Sequence, residues 1–276
     1  MLANDMLFSV EDRIIAITGG LGQLGKQFSL SLLERGARVA ILDLAAGKVE
    51  LASELKTFFD QDRLITIPVD VTQKISIEGA LGEIKKKWGR VPYGLINNAA
   101  LDSPPKDQPS ETGPFENFPV ESWERVMDVN VKGVFLACQV FGAAMAEESK
   151  GSIINIGSTY GMVSPDHSIY AYKAEKGGQP FFKPVAYSAS KSALVNLTRY
   201  LAVYWGKAGV RANLMALGGV FNNQDQEFID GYCAKVPMGR MANEDEYNGA
   251  IVYLLSDASS YVTGAVMMSD GGWTAW

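Results

Sequence analysis

The run Tyr187-Ser188-Ala189-Ser190-Lys191 carries the most suggestive spacing in the chain. Four residues apart on a helix, Tyr187 and Lys191 share one face. An ammonium beside a phenol favours the phenolate, which moves a tyrosine towards general acid–base work. Ser158 follows an apolar run, and its hydroxyl can stand beside Tyr187 if the ends of the two segments are neighbours. The same Tyr–Lys spacing also occurs on solvated helices, so the surroundings must decide. A second cluster, Thr18-Gly19-Gly20-Leu21-Gly22-Gln23-Leu24-Gly25, lies between an apolar run and a helical one. Glycines there permit a tight turn and let a pyrophosphate approach backbone N–H groups at a helix N-terminus. Asp43 follows about 20 residues on, where a carboxylate accepts hydrogen bonds from a ribose 2′-hydroxyl and repels a 2′-phosphate. The pattern therefore reads as NAD ahead of NADP, against the plainer alternative of a strand-end or capping aspartate. His167 is the only histidine. That count removes His-rich zinc sites, so no metal is expected, and it removes His-dependent triads unless this one residue serves.

These groups need elements to carry them. Apolar β-type runs at 13–17, 38–42, 64–69, 93–96, 152–156, 210–214 and 265–268 alternate with helical patterns at 26–35, 47–60, 74–88, 122–148, 187–206, 225–235 and 243–256. That rhythm predicts an α/β chain with a doubly wound parallel sheet and helices on both faces. No repeat or Gly/Ser-rich linker interrupts it, so residues 1–276 are expected to form a single domain. Two segments break the rhythm. Residues 101–122 hold Pro104, Pro105, Pro109, Pro114 and Pro119, which excludes a long helix. Residues 161–184 hold Pro165, Gly177, Gly178, Pro180 and Pro184. Both follow strands, on the sheet edge where open α/β folds bind ligands.

Composition narrows the function. The chain has 25 Lys+Arg against 31 Asp+Glu, a net charge of −6, and a pI near 5.0. This argues against a surface that tracks nucleic-acid phosphates. Lys85-Lys86-Lys87 reads as the solvated end of a helix. Residues Met1 to Asp12 carry acids where a signal peptide has a basic segment. The residue-by-residue reading finds no run of ~20 apolar residues, so no membrane association is expected. Cys138 and Cys233 lie far apart, each in a helix-like stretch, and nothing demands an oxidising compartment. The expectation is a soluble, cytoplasmic protein.

At this point the sequence resembles the short-chain dehydrogenase/reductase family from Ile14 to Gly272. The resemblance rests on the glycine turn at 18–25, Asp70-Val71, Asn97-Asn98-Ala99-Ala100, and Asn130 within Asp128-Val129-Asn130-Val131-Lys132-Gly133. It continues through Ser158, Tyr187 with Lys191, Ser260-Tyr261-Val262-Thr263-Gly264 and Asp270-Gly271-Gly272. It implies an NAD(P)-binding Rossmann fold in which Tyr187 is the general acid/base and Ser158 holds the substrate oxygen. Lys191 would bind the nicotinamide ribose and lower the tyrosine pKa, and Asn130 would hold a water of the proton relay. Gly19, Gly22, Gln23, Leu24 and Gly25 would form the phosphate turn beside Asp43. Asp70 and Val71 would contact the adenine, Asn98 its ribose, and Val220 the nicotinamide carboxamide. The resemblance also implies a homodimer or homotetramer paired through 122–148 and 187–206.

Three departures stand out. The turn has the T-G-x-x-G-x-x-G spacing of the family's nucleotide-sugar branch, with Gln23 where the shorter branch has glycine. Leu217-Gly218 replaces the usual Pro-Gly. Ser158 and Tyr187 are 29 positions apart, far more than in typical relatives, which makes 161–184 a substrate-side insertion opposite a substrate loop at 219–240. The insertion brings Asp166, His167, Tyr170, Tyr172, Lys173, Glu175, Lys176 and Gln179, and the loop brings Asn222, Asn223, Gln224, Asp225 and Gln226. Such polarity favours a small polar substrate: a sugar, a sugar acid or a nucleotide-linked sugar. The loops resemble those of relatives in bacterial nonulosonic-acid (flagellin-glycan) pathways. The competing reading is a solvated lid, with His167 only hydrogen-bonded and Trp273 and Trp276 serving tail packing or covering the pocket. The leading expectation is an NAD-dependent alcohol/ketone oxidoreductase on a carbohydrate-like substrate. The alternatives are a nucleotide-sugar epimerase or dehydratase with NAD as internal hydride carrier, and a non-catalytic NAD(H) sensor.

Overall fold

Strand β1, Ile14–Thr18, is buried along its whole length. Its side chains alternate between two cores. Ile14 and Ala16 join one cluster, and Ile15 and Ile17 the other, as the period of two in a strand requires. A strand buried on both faces belongs to a sheet covered by helices on both sides. The computed structural model describes residues 6–102 and 109–276. Pro104 and Pro105 of the proline-bearing segment, and the first five residues of the acidic N-terminal stretch, lie outside the described residues.

Strands β2 (Arg38–Asp43), β3 (Leu64–Pro68), β4 (Gly94–Asn97), β5 (Gly151–Ser158), β6 (Val210–Leu217) and β7 (Val266–Ser269) complete one sheet, ordered β3-β2-β1-β4-β5-β6-β7. Every neighbouring pair is parallel. Helices α1 (Gln23–Glu34) and α2 (Ser53–Asp60) pack on one face, joined late in the chain by α7 (Asn248–Leu255). Helices α3 (Lys74–Trp88), α4 (Val120–Glu147) and α5 (Val185–Trp205) cover the other. Helix α6 (Gln226–Cys233) lies apart, in a third apolar cluster above the sheet edge. The strand order reverses between β1 and β4, which opens a crevice at their carboxyl ends.

The expected α/β architecture is the observed one, with local differences. Helix α2 begins at Ser53 and not at residue 47, because Gly47 takes φ +75° and cannot sit inside a right-handed helix. Helix α7 begins at Asn248 because residues 243–247 form a turn in which Glu246 accepts from the Asn243 N–H at 2.8 Å. Strands β5 and β6 run to Ser158 and Leu217, beyond their apolar runs, because their ladder continues through Gly157↔Ala216 and Ser158↔Leu217. Helix α4, with 28 residues, is long and apolar enough to cross a membrane by length and composition, which the residue-by-residue reading missed. About half of its most apolar window is buried within the fold, where Phe141 and Met145 are fully covered. Two stretches of α4, Asp128–Gly133 and Cys138–Gly142, are π-helical.

A buried polar chain ties the sheet to its helices. Asn97 Nδ2 on β4 donates to Asn155 Oδ1 on β5 at 2.8 Å, and Asn155 Nδ2 donates to Thr198 Oγ1 on α5 at 2.9 Å. Asn97 Nδ2 also reaches Cys138 Sγ on α4 at 3.2 Å. Both cysteines are free, and burial pushes the Cys138 thiol up to about 12. We expect Asn155→Ala to lower unfolding stability by about 1–3 kcal/mol in urea denaturation, because it removes a hydrogen-bond partner from each of two buried side chains, Asn97 and Thr198.

Candidate active site

At the end of β1 the chain turns through Gly19, at φ +63°. A Cβ there would lie 2.8 Å from Ala99 Cα, and one at Gly25 only 2.3 Å from the Gly19 carbonyl oxygen. The turn therefore closes only without side chains at these positions. Helix α1 starts directly after Gly22, with no side chain capping it, so its first N–H groups face the crevice. Asn98 holds the turn from β4, donating through Nδ2 to Gly19 O at 2.9 Å and to Thr18 O at 3.2 Å. Asp43 holds it from β2, where Oδ2 accepts from Leu21 N at 3.0 Å and Oδ1 from Ala45 N at 2.9 Å. A bare helix N-terminus, close-packed glycines and a carboxylate at the end of β2 fit a dinucleotide. Gln23, the departure in the turn, donates through Nε2 to Phe221 O at 3.2 Å and so joins the turn to the substrate loop.

The second half of the site lies at the ends of β5 and β6. Lys191 on α5 donates through Nζ to Ile156 O at 2.7 Å, which sets Tyr187, one turn earlier, beside Ser158. Burial pushes the Tyr187 phenol above its ordinary value; the Asp102 carboxylate acts in the same direction, and a hydrogen bond with Ser158 pulls it back. Burial lowers Lys191 to about 8, with Asp102 opposing. The Lys191 Nζ lies 5.8 Å from the centre of the Tyr187 ring. At Tyr187 desolvation is the largest cause and the shift is upward, whereas the spacing alone predicted a lowered phenol.

Gln23, Leu24, Asn98, Ser158, Tyr187, Lys191 and Val220 all line one cavity of about 500 Å³. The other expected residues stand behind it. The Asp70 carboxyl turns back to Thr72 N and Oγ1, and Val71 is buried in the core shared with α4. The Asn130 carboxamide is committed: Oδ1 accepts from Leu101 N at 2.7 Å, and Nδ2 donates to Leu101 O and to Ser190 Oγ, each at 3.0 Å.

The insertion forms a wall of this cavity. Of its polar residues only Tyr170 and Lys183 reach the lining; Asn222, Asn223, Gln224 and Asp225 do so from the loop. Three other insertion polars bind the loop. Tyr172 donates to Asp225 at 2.8 Å, Asp166 pairs with Lys235 at 2.6 Å, and Lys176 pairs with Glu227. Beneath them Tyr170 packs on Phe181 and Phe228, with ring centres 4.5 and 5.3 Å apart, in a cluster that also holds Tyr160 and Tyr232. His167 accepts from Lys183 N at 3.3 Å through Nδ1, and burial lowers its pKa. It is a structural histidine, outside the lining. Trp273 stacks on Tyr232 at 4.5 Å, while Trp276 is exposed. Asp102, Tyr160 and Lys183 also line the cavity, and the sequence reading passed them over. Their signals were plain enough: Lys183 precedes Tyr187 by the interval that separates Tyr187 from Lys191, and Tyr160 follows Ser158 by two.

A dinucleotide cradle at the reversal of strand order, continuous with a Ser–Tyr–Lys cluster on the next strand ends, defines an α/β oxidoreductase that uses a nicotinamide dinucleotide. The sequence pattern of short chain dehydrogenases matches residues 13–182, and that of enoyl-(acyl carrier protein) reductases matches residues 176–274. The chain belongs to the short-chain dehydrogenase/reductase family. It is 28% identical to an NAD-dependent glycerol dehydrogenase of Listeria innocua, over 98% of this chain and 97% of that protein. It is 29% identical to a D-threitol dehydrogenase of Mycolicibacterium smegmatis, over 99% and 97%. The crystal structure of a short chain dehydrogenase from Leptospira borgpetersenii with bound NAD+ superposes with a TM-score of 0.84 at 32% identity, over 99% of this chain and 97% of that one.

The buried lysine gives a pH test. Below pH 8 the folded and unfolded chains both carry the Lys191 proton and the burial penalty is full. Between 8 and the ordinary lysine value of 10.5 the folded chain releases the proton while the unfolded chain keeps it, so the penalty is relieved as pH rises. Urea midpoints measured from pH 7 to 9.5 are expected to shift in favour of the parent relative to Lys191→Met as pH rises. A difference that stays constant with pH would contradict the lowered lysine.

Proposed function

We propose that the chain interconverts a secondary alcohol and a ketone on a polar, carbohydrate-like small molecule, with NAD preferred to NADP. The observation that carries this reading is the Ser158–Tyr187 contact beside Lys191, at the mouth of a cavity continuous with the dinucleotide cradle. When bound, the nicotinamide ring takes or returns the hydride. Gly19, Gly22, Gln23, Leu24 and Gly25 would hold its phosphates, Asn98 and Val220 would flank the route towards Ser158, and Asp70 and Val71 would hold the adenine end. Tyr187 moves the matching proton, accepting it from the carbinol oxygen in oxidation and returning it in reduction. Ser158 holds that oxygen by its hydroxyl. Lys191, fixed by Ile156 O, keeps an ammonium under the phenol that favours the phenolate as the proton leaves. Asn130 serves by joining the loop after β4 to Ser190 of the catalytic helix, and any relay water it holds is held from its main chain.

Asp43 supports NAD, since its charge at the end of β2 opposes a 2′-phosphate. The polar lining and the named polyol dehydrogenases among the relatives support a carbohydrate-like substrate. A sugar-modifying step of the nonulosonic-acid type is a narrower form of the same proposal. Tyr200, Val203 and Tyr204 on α5 expose 63%, 85% and 65% of their surface, which supports pairing of two copies, as a homodimer or within a homotetramer, in a cytoplasmic enzyme.

Tyr187→Phe is expected to lower kcat by about 10³-fold or more, the reach of general acid–base catalysis. NADH binding, followed by fluorescence titration, should stay within about twofold of the parent. Turnover retained in this variant would refute the assignment. Asp43→Ser is expected to raise the NADP-to-NAD ratio of kcat/KM at least about tenfold, measured by absorbance of the reduced nicotinamide, through lost repulsion of the 2′-phosphate.

A further inference from the structure

Lys183 is the second cation against the catalytic tyrosine. Its side chain is 8% exposed, its Nζ pairs with Asp102, and the ammonium lies 4.9 Å from the centre of the Tyr187 ring. Both members of the pair line the cavity. They come from two distant segments: Asp102 from the loop after β4, Lys183 from the last residues of the insertion. Lys183 is held from behind, since its backbone N–H donates to His167 and the neighbouring Phe182 N–H donates to Thr112 O at 2.8 Å. The pair therefore stands on the cavity wall beside Tyr187, near the two hydroxyls proposed to hold the reacting oxygen.

Resting on the alcohol-oxidoreductase reading above, we propose that the Lys183–Asp102 pair is the specificity device of this site and selects an uncharged vicinal diol by holding the hydroxyl next to the reacting carbon. The chemistry follows from what the pair offers. A hydroxyl both donates and accepts, so it can satisfy Asp102 and Lys183 together. An alkyl group in the same position removes water from two ions and returns nothing. The charge count points to a neutral molecule. Among the described residues that line the cavity, the cations are Lys183 and Lys191 and the carboxylates are Asp102 and Asp225. A carboxylate substrate at Lys183 would meet Asp102 in the same place, whereas a polyol leaves the balance unchanged. Asn222 and Asn223, which also line the cavity, offer further neutral donors and acceptors to the remaining hydroxyls, while Gln224 braces their loop through Asn222 N and Val220 O.

The test uses the full chain and three probe classes of matched length, from three to five carbons: glycerol, threitol and xylitol; 2-propanol, 2-butanol and 2-pentanol; glycerate, threonate and xylonate. Oxidation is followed by NADH absorbance in the parent, Lys183→Met and Asp102→Asn, with the NADH dissociation constant of each variant as the control for folding. A site built to bind a substrate hydroxyl rejects the analogue lacking it by large factors. We expect the best polyol to exceed its matched mono-alcohol by about 100-fold or more in kcat/KM, and the acids to fall below the polyols. Each variant should lower kcat/KM for the polyol at least about tenfold more than for the matched mono-alcohol, with the excess loss mainly in KM. Equal losses on polyol and mono-alcohol would overturn the proposal and make the pair a structural or tyrosine-tuning contact. Preference for an acid, lost in Lys183→Met but kept in Asp102→Asn, would overturn it in favour of a carboxylate-reading lysine. No turnover of any probe, with NADH still bound, would overturn the carbohydrate reading itself and this proposal with it.

Discussion

An ammonium group sealed inside a protein is the constraint around which this site is arranged. Lys191 is 4% exposed, and its charge is anchored by Ile156 O at 2.7 Å. Burying an isolated charge is expensive unless hydrogen bonds and neighbouring charges compensate. The compensation comes from two places: the Ile156 carbonyl near the end of β5 and the Asp102 carboxylate, which raises the lysine against the desolvation that lowers it. Helix α5 is thereby fixed to the sheet at the point where Tyr187 must meet Ser158. The buried Asn97–Asn155–Thr198 chain fixes the same helix further along.

The cofactor half of the site depends on packing and not on charge. Gly25 and Gly19 let helix and turn approach closer than a Cβ allows, and Asn98 and Asp43 brace the turn from the strands on either side. Gln23, foreign to one branch of the family pattern, becomes a strut to the substrate loop. The phosphate turn and the substrate wall are therefore mechanically joined at Phe221.

The wall itself is held chiefly by its aromatic cluster. The ion pairs Lys176–Glu227 and Asp166–Lys235 are solvent-exposed, and such pairs contribute ~0–1 kcal/mol each. Tyr170, Phe181, Phe228, Tyr232 and Trp273 bury far more apolar surface between insertion and loop. Burying one aromatic side chain stabilises by roughly 1.5–3 kcal/mol, and offset or edge-on ring packing adds to that. A segment that reads as polar in sequence is thus apolar where it matters and uses its polar side chains for docking.

The sequence by itself determined the alternation of strands and helices, the glycine turn with Asp43, and the Ser158, Tyr187 and Lys191 set. Each of these is written in local spacing: period two, period 3.6, or a turn that only glycine can make. Tertiary structure decided what spacing cannot encode. Burial reversed the expected direction of the Tyr187 shift, because desolvation depends on what covers a group and not on which residue lies four positions away. Three polar residues of 161–184, Asp166, Tyr172 and Lys176, dock on α6 and its flanks instead of facing the cavity, through partners more than 50 positions distant in the chain. Asp102 and Lys183 meet across 81 positions, a contact made only when the loop after β4 and the end of the insertion close over the same strand ends.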